Sequence, residues 1–243
     1  MTHPPFSTHP QPHLTAHHLV KTFGTTQALN DVSLTINTGE SVAIMGPSGS
    51  GKTTLLHALS GIIQPDTGTV ELNGNPPLML SALTTAQRTT FRAQHCGFVF
   101  QQGLLIPELT VEENVALAAM VAGVPRKEAL YRARNLLESL GLADKFTQRI
   151  GALSGGQQQR VGIARSQVTG APLTFADEPT GALDSRTAQE VMSTLLNLVP
   201  GQGKTLVIVT HDGAVAQRCS RIITLVDGTI AHDTAHSANN FSR

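Results

Sequence analysis

The sequence predicts an α/β fold, because short apolar runs typical of buried strands alternate with stretches that have helical periodicity. Residues 41–45 form one such run and lead directly into a glycine-rich segment at residues 46–53, which a helical stretch follows. A second glycine-rich segment, at residues 154–157, also precedes a helical stretch. The 243 residues suit one large domain, and no internal repeat divides the chain.

The predicted strands are distributed along most of the chain. Val32, Leu34 and Ile36 alternate with polar residues, as in a half-buried strand, and the helix that begins near Lys52 carries leucines at helical spacing. Another strand is predicted to end at Phe100. The remaining apolar runs predict strands at residues 41–45, 173–176, 205–210 and 221–226.

Residues 111–140 differ from this alternation, because they contain two amphipathic helices separated by Gly123-Val124-Pro125. They predict a helical subdomain at about residues 84–170, inserted into a domain that spans residues 14–232.

Both ends of the chain are predicted to be disordered tails, residues 1–13 and 233–243. The first is rich in proline and histidine, so a metal-binding tract is the alternative interpretation. Its histidines follow no ligand spacing, and the prolines keep the segment extended.

The composition limits the kinds of partner that the protein is expected to bind. The 17 basic and 17 acidic side chains balance, and no basic stripe is visible, so nucleic-acid binding is not expected. Charged residues make up 14% of the chain, below the roughly 25% of average proteins, which suggests surfaces covered by partners. The longest apolar run, residues 115–124, is too short to span a bilayer. Cys96 and Cys219 have no metal-ligand or redox spacing and are expected to be reduced thiols.

Residues 46–53 match the phosphate-binding pattern G-x-x-x-x-G-K-[ST] at every fixed position. Glycines let successive backbone N–H groups converge on an anion at a helix N-terminus, where the helix dipole also favours negative charge. The charge of Lys52 is expected at the β- and γ-phosphates of a nucleotide, and the hydroxyl of Thr53 at Mg²⁺. A plain glycine turn is the alternative, which the position between a strand and a helix disfavours. The predicted phosphate site comprises Gly46, Pro47, Ser48, Gly49, Ser50, Gly51, Lys52, Thr53 and Thr54.

The apolar run at residues 173–176 ends in two acidic residues, Asp177 and Glu178. A strand-end aspartate can hold the Mg²⁺ shell. Glu178 would then orient and deprotonate the attacking water. An ordinary pair of strand-end carboxylates is the alternative, but the motifs before and after this run favour the catalytic interpretation.

The segment Leu153-Ser154-Gly155-Gly156-Gln157 completes a set of motifs that resembles the ATP-binding subunits of ABC transporters. The resemblance extends from about residue 14 to residue 230. It implies an ATP hydrolase with ATP and Mg²⁺ as cofactors. The implied fold is a P-loop NTPase core of mixed sheet with flanking helices, an antiparallel β subdomain and an inserted helical subdomain.

The same resemblance assigns roles to residues outside these motifs. Gln101 corresponds to a glutamine that contacts Mg²⁺ and links the ATP core to the helical subdomain. His211 corresponds to a switch histidine at the γ-phosphate, and Asp184 to the aspartate of a loop that crosses a dimer interface. Phe23 lies where the family places an aromatic residue, usually Tyr, that stacks on adenine. The signature residues expected at the γ-phosphate held by a partner chain are Ser154, Gly155, Gly156 and Gln157.

The resemblance also implies the assembly: a homodimer of nucleotide-binding subunits arranged head-to-tail around two Mg-ATP. This dimer would drive an integral membrane permease that has an extracytoplasmic domain. The cassette would then be a peripheral subunit on the cytoplasmic side of the cell membrane, and the transport would be export or extraction. Regulation of a membrane partner such as a cell-wall hydrolase is the alternative. The segments that resemble the lipoprotein-release, macrolide-export and antimicrobial-peptide-resistance branch are residues 44–47, 55–57, 157–159 and 176–181.

Overall fold

The computed structural model describes residues 11–74, 76–101 and 103–235, which form two sheets flanked by helices. One sheet is small and antiparallel, and the other is central and mixed. The predicted α/β class is therefore confirmed, together with the antiparallel β subdomain and the mixed core sheet.

The antiparallel sheet contains four strands in the order β2-β1-β4-β5. These are β1 (Pro12–Phe23), β2 (Thr26–Asn37), β4 (Thr67–Leu72) and β5 (Leu78–Met79). The predicted alternation is confirmed, since Val32, Leu34 and Ile36 are buried and face the core shared with the central sheet.

The central sheet contains β3 (Ser41–Met45), β6 (Cys96–Phe100), β7 (Leu173–Asp177), β8 (Thr205–Val209), β9 (Arg221–Val226) and β10 (Thr229–Asp233). Their order is β10-β9-β3-β8-β7-β6, and all neighbours are parallel except β10 and β9. Parallel strands have their carboxyl ends at the same edge of a sheet. The loops after β3, β6, β7 and β8 therefore converge there, which is where ligands bind in such folds.

The helices are α1 (Lys52–Leu59), α2 (Thr85–His95), α3 (Val111–Val121), α4 (Arg126–Ser139), α5 (Gly155–Gln167), α6 (Ser185–Leu198) and α7 (Gly213–Ala216). Capping boxes begin α2, α3 and α5, where a Ser or Thr side chain and the Glu or Gln three residues later satisfy each other's backbone N–H groups. These local signals fix where the helices start.

The helical subdomain is smaller than predicted on its N-terminal side. Strand β6 pairs with β7 in the central sheet, and α2 buries Phe91 in the core below that sheet. The separate helical core joins α3, α4 and α5, through Val115 and Val161 among other residues. An element that packs in the sheet core cannot belong to a separate helical unit. The predicted start at residue 84 is therefore wrong, and the insertion begins after Phe100.

The two predicted tails also extend too far into the chain. Strand β1 already begins at Pro12, and the Nδ1 atom of His13 lies 2.6 Å from the hydroxyl of Thr205. At the other end, Asp233 closes β10 and its carboxylate accepts hydrogen bonds of 2.8 and 2.6 Å from the guanidinium of Arg221. Backbone pairing and these contacts hold both segments. The rest of the predicted tails, residues 1–10 and 236–243, lies outside the described residues.

Within the described part of the chain, no helix combines the length and the apolar character needed to cross a bilayer.

Candidate active site

The phosphate loop joins β3 to α1, and two of its glycines lie where no side chain fits. Gly46 has φ +147°, and a Cβ there would lie 2.0 Å from the carbonyl oxygen of Leu225. Gly51 has φ +98°, and its Cβ would lie 2.1 Å from the carbonyl oxygen of Ala28. The loop is thus enclosed between β9 and β2. Glycine is required at both positions for two reasons, the close approach of these backbones and the positive φ angles of the loop.

An open cleft of about 310 Å³ lies over this loop. Lys52 is the first residue of α1, and its ammonium group donates a hydrogen bond of 2.7 Å to the carbonyl oxygen of Pro47. The cleft thus combines the cation of Lys52 with the backbone N–H groups of a helix N-terminus, a combination that suits a polyphosphate. Its lining residues are Ala28, Ser48, Gly49, Gly51, Lys52, Thr53, Thr54, Glu178 and Val209.

Two oxygen-bearing side chains meet beside the cleft. The hydroxyl of Thr53 lies 3.3 and 3.4 Å from the two carboxylate oxygens of Asp177, at the end of β7. Partial burial raises the pKa of Asp177, and the hydrogen bond from Thr53 offsets part of this effect. A hydroxyl and a carboxylate are hard oxygen donors of the kind that Mg²⁺ prefers, so these residues fit that ion.

Glu178 has an unusual backbone conformation that directs its side chain. Its φ is +47°, which costs energy for a non-glycine residue, and its N–H donates a hydrogen bond of 2.9 Å to the carbonyl of Val209. Its carboxylate lies 2.8 Å from the Nδ1 atom of His211, which follows β8. Because a carboxylate only accepts hydrogen bonds, His211 donates from Nδ1. The structure therefore brings Glu178 and His211, two of the residues predicted to act in catalysis, into direct contact beside the cleft.

Gln101 does not line the cleft, but it reaches the loop that follows the acidic pair. It comes directly after β6, whose last residue, Phe100, is the neighbour of Asp177 in the sheet register. A Cβ on Gly181 would lie 2.9 Å from the side-chain nitrogen of Gln101. The absence of a side chain at Gly181 thus leaves room for the Gln101 amide beside the catalytic edge.

The signature segment forms the N-terminus of α5. The hydroxyl of Ser154 accepts a hydrogen bond from the N–H of Gln157, and the Gln157 side chain accepts one from the N–H of Ser154. Gly155 and Gly156 form the first turn, and a Cβ on Gly156 would lie 2.4 Å from the methyl group of Thr187. Close packing of α5 against α6 therefore requires this glycine. None of these residues lines the described cleft, so the signature turn and the phosphate loop are separate surfaces of the chain.

Asp184 acts as the N-cap of α6. Its carboxylate accepts hydrogen bonds of 3.1 and 3.0 Å from the backbone N–H groups of Arg186 and Thr187. Hydrogen bonding from the side chain of Thr187, followed by its N–H group and that of Arg186, lowers the pKa of Asp184. Thr187 also contacts the signature turn, so Asp184 fixes the helix end against which that turn packs.

Phe23 lies at the end of β1, with its side chain 52% exposed, and it does not line the described cleft. The ammonium group of Lys21 lies 5.4 Å from the centre of its ring. Asp66 holds that ammonium group with a contact of 2.6 Å. The ring is thus available for stacking, and its role at adenine remains a prediction.

Replacement of Phe23 by Ala is expected to weaken ATP binding by about 1–3 kcal/mol, the range for base–aromatic stacking. Phe23→Tyr keeps the ring and should bind ATP at least as well as the parent. Calorimetric titration with ATP measures both, and inorganic triphosphate provides the control, because its affinity should not change. Equal ATP affinity of the alanine variant would place the adenine platform elsewhere.

Two residues that order the loop after Gln101 were not identified from the sequence. Arg165 of α5 donates hydrogen bonds to the carbonyl oxygens of Gly103 and Leu104. Asn114 of α3 bonds both the N–H and the carbonyl of Ile106. Only their types, a polar residue within an apolar helical stretch, could have drawn attention to them.

Residues 29–181, which contain the phosphate loop, the signature segment and both strand-end acids, match the family described as "ABC transporter". The chain belongs to the ABC transporter family. It is an ATP-hydrolysing cassette, and its similar relatives confirm the lipoprotein-release and macrolide-export branch.

Two relatives illustrate this branch of ABC cassettes. The lipoprotein-releasing system ATP-binding protein LolD of Bacteroides fragilis (strain YCH46) is 42% identical over 212 residues, 87% of this chain and 97% of that protein. The macrolide export ATP-binding/permease protein MacB of Rhodopseudomonas palustris (strain BisB18) is 46% identical over 213 residues, 88% of this chain. The matched region is only 32% of that MacB, so this ABC cassette spans about a third of its length.

Solved structures support the ABC cassette fold. A dimeric post-hydrolysis state of the ATP-binding cassette MJ0796, bound to ADP and Pi, is 38% identical, with a TM-score of 0.82. The match covers 90% of this chain and 97% of that one. A second dimeric structure of MJ0796, described as a bacterial ABC transporter cassette, is 39% identical, with a TM-score of 0.81 over the same shares.

Proposed function

We propose that this cassette is the motor subunit of a membrane transporter, in which two copies close head-to-tail around two Mg-ATP. The observation that carries this proposal is the separation of the two anion-binding surfaces. The phosphate loop lines the described cleft and the signature turn does not, so a second copy would supply the signature at each site. A two-fold axis then closes both sites at once.

The charged and polar groups at the cleft have distinct roles in the proposed ATP hydrolysis. The phosphate loop and Lys52 would bind the phosphates, and Thr53, Asp177 and Gln101 would hold Mg²⁺. The ion would supply positive charge that offsets the charge developing on the phosphate oxygens. Glu178 accepts a proton from the attacking water, and the water oxygen bonds to the γ-phosphorus while the bond from that phosphorus to the bridging oxygen breaks and ADP leaves. The hydrogen bond from His211 holds the Glu178 carboxylate in position for that transfer.

The dimer is further supported by the solved relatives, two of which are described as dimeric. Asp184 and the signature turn are both located at the N-terminal ends of helices that pack together, α6 and α5. The end of α5, which the neutral Ser154 side chain caps, would attract the negative charge of a nucleotide on the facing subunit, whereas the end of α6 is already occupied by the Asp184 carboxylate.

The membrane partner is supported by the names of the relatives and by one surface. LolD is described as part of a lipoprotein-releasing system and MacB as an export ATP-binding/permease protein. These names favour export or extraction over regulation of a cell-wall hydrolase. A groove of about 410 Å³, here called the α2–α3 groove, opens between α2, β6 and α3 and is lined by both apolar and polar side chains, among them Leu104, Val121 and Arg165. We assign it to a permease, which would hold the cassette as a peripheral subunit on the cytoplasmic side of the membrane.

A test with two defective chains separates composite sites from sites within one chain. Ser154→Arg places a bulky cation at the signature turn, and Lys52→Ala removes a charge from the phosphate loop. A heterodimer of one chain of each kind should keep one intact composite site, formed by the phosphate loop of the first and the signature of the second. A chain with both changes, paired with a parental chain, should have a lesion in each site.

Crosslinking of labelled ATP to the purified heterodimers measures the outcome. We expect the first heterodimer to trap ATP at one site and the second to trap much less. The parental homodimer is the positive control. More trapping by the second heterodimer than by the first would mean that each chain completes its own site, because only the second contains an unmodified chain, and the head-to-tail dimer would be wrong.

A further inference from the structure

Phe23 lies at the tip of the hairpin that β1 and β2 form, and this hairpin touches the phosphate loop. The partner of Phe23 across the hairpin is Thr26. Ala28, two residues further along β2, lines the nucleotide cleft, and its carbonyl oxygen would lie 2.1 Å from a Cβ on Gly51. The ring at the tip therefore has a fixed position relative to the phosphates only if the tip itself is held in place.

The neighbouring strand β4 stops short of this tip. The last pair in the register of β1 and β4 joins Val20 to Thr67, and the N–H of Asp66 donates a hydrogen bond of 2.8 Å to the carbonyl of Val20. The last three residues of β1, which end at Phe23, pair in the described sheet with β2 alone. A two-stranded ribbon is only marginally stable by itself, so the tip needs another support.

The side chain of Asp66 supplies that support. Its carboxylate accepts a hydrogen bond of 2.6 Å from the ammonium group of Lys21 and one of 2.7 Å from the N–H of Thr22. The bond from Lys21, followed by that from Thr22, lowers the pKa of Asp66, so the carboxylate is ionised at neutral pH. One carboxylate thus fixes both the backbone and a side chain next to Phe23.

Lys21 connects this carboxylate to the aromatic ring. Its ammonium group lies over the ring of Phe23, 5.4 Å from the ring centre, and its side chain is only 18% exposed. A cation within about 6 Å of a ring centre is attracted by the negative face of the ring. The cation lies over one face of the ring, which is 52% exposed overall.

We infer that Lys21 and Asp66 are positioning residues for the base of ATP: Asp66 fixes the hairpin tip and the Lys21 cation, and this cation holds the Phe23 ring in the orientation that stacks on adenine. The inference rests on the proposed function, because it assumes that ATP occupies the cleft with its base at Phe23. A ring that is fixed before the base arrives loses less conformational entropy on binding, which raises the affinity for the base.

Positioning and simple electrostatics predict opposite effects for removal of the Asp66 carboxylate. Loss of a negative charge near an anion site should strengthen the binding of every polyphosphate. Loss of positioning should weaken only those ligands that carry a base. The ratio of the affinities for ATP and for inorganic triphosphate separates the two effects, because both ligands carry a triphosphate chain and share the long-range contribution.

Calorimetric titration of the full-length cassette with each ligand measures this ratio. Asp66→Ala should lower it at least about threefold, and Lys21→Met about twofold to fivefold, the worth of an exposed cation–π contact. Lys21→Arg keeps a cation and should retain most of the parental ratio. Asp144→Ala and Lys145→Met are the matched controls, because they break an ion pair of 2.8 Å in the helical subdomain and should leave the ratio unchanged.

A double variant tests whether the pair acts through the ring. Once Phe23→Ala has removed the ring, the further change Asp66→Ala should not lower the ratio again, as expected for residues that act through one shared group. A purely structural role of Asp66 would lower the melting temperature and leave the ratio as it is. A second fall of the ratio in the double variant would mean that Asp66 does not act through Phe23.

The outcomes distinguish this inference from the proposed function. If Asp66→Ala and Lys21→Met keep the parental ratio while Phe23→Ala lowers it, the ring stacks on the base without the pair and the inference is wrong. If Phe23→Ala also keeps the parental ratio, the base lies elsewhere and the inference is wrong together with that assignment. If the parental cassette does not bind ATP, the proposed function itself is wrong. Circular dichroism checks each fold, and Lys21→Met decides the question if Asp66→Ala does not fold.

Discussion

Replacement of Glu178 by Gln should nearly abolish ATP turnover and leave ATP binding intact. The amide oxygen can still accept the hydrogen bond from Nδ1 of His211, now 2.8 Å from the carboxylate, so the shape of the site is preserved. The amide cannot take a proton from water, and loss of a general base typically costs about 10²–10⁴-fold in rate. Steady-state phosphate release measures turnover, and the same variant should form a stable dimer in Mg-ATP.

A matched control for this variant is Glu138→Gln, which makes the same exchange at an exposed position of α4. It should hydrolyse ATP at the parental rate. Turnover close to the parental rate in Glu178→Gln would remove Glu178 from the role of base.

Replacement of Lys52 by Ala should weaken ATP binding by about 2 kcal/mol or more, roughly 30-fold, because a charged partner of the phosphates is lost. Without nucleotide, the ammonium group donates one hydrogen bond, to the exposed carbonyl of Pro47, within the described part of the chain, so the free protein should lose little stability. The melting temperature should therefore be nearly unchanged without ATP, and the stabilisation that ATP provides should largely disappear.

Calorimetry gives the affinity of this variant directly, with Lys127→Ala on the exposed surface of α4 as the control. If Lys52→Ala and the parent bound ATP equally well, the cation of the phosphate site would have to be another residue.

Much of the site could be predicted from the sequence, because its motifs are local. The strand at Ser41–Met45 and the helix from Lys52 appear in the structure at the predicted positions. Asp177 and Glu178 follow a buried strand as expected. Period, turn chemistry and helix caps act over a few residues, so a short stretch of sequence contains the information that fixes them.

Long-range packing decided the rest. Strand β6 was predicted to lie within the helical subdomain, but it pairs with β7 in the central sheet. The two strands are more than seventy residues apart in the sequence, so no local pattern encodes the hydrogen bonds between them. The need for glycine at Gly46 comes from the carbonyl of Leu225, and Glu178 meets His211 only because β7 and β8 are parallel neighbours.

The sequence by itself thus determined the α/β class, the phosphate loop, the strand-end acids and the start of the signature helix. The tertiary structure alone placed Glu178 against His211 and separated the signature turn from the nucleotide cleft. The physical reason is one of range. Backbone propensity and capping depend on neighbours within about one helical turn, whereas sheet order and charge pairing depend on residues that only the folded chain brings together.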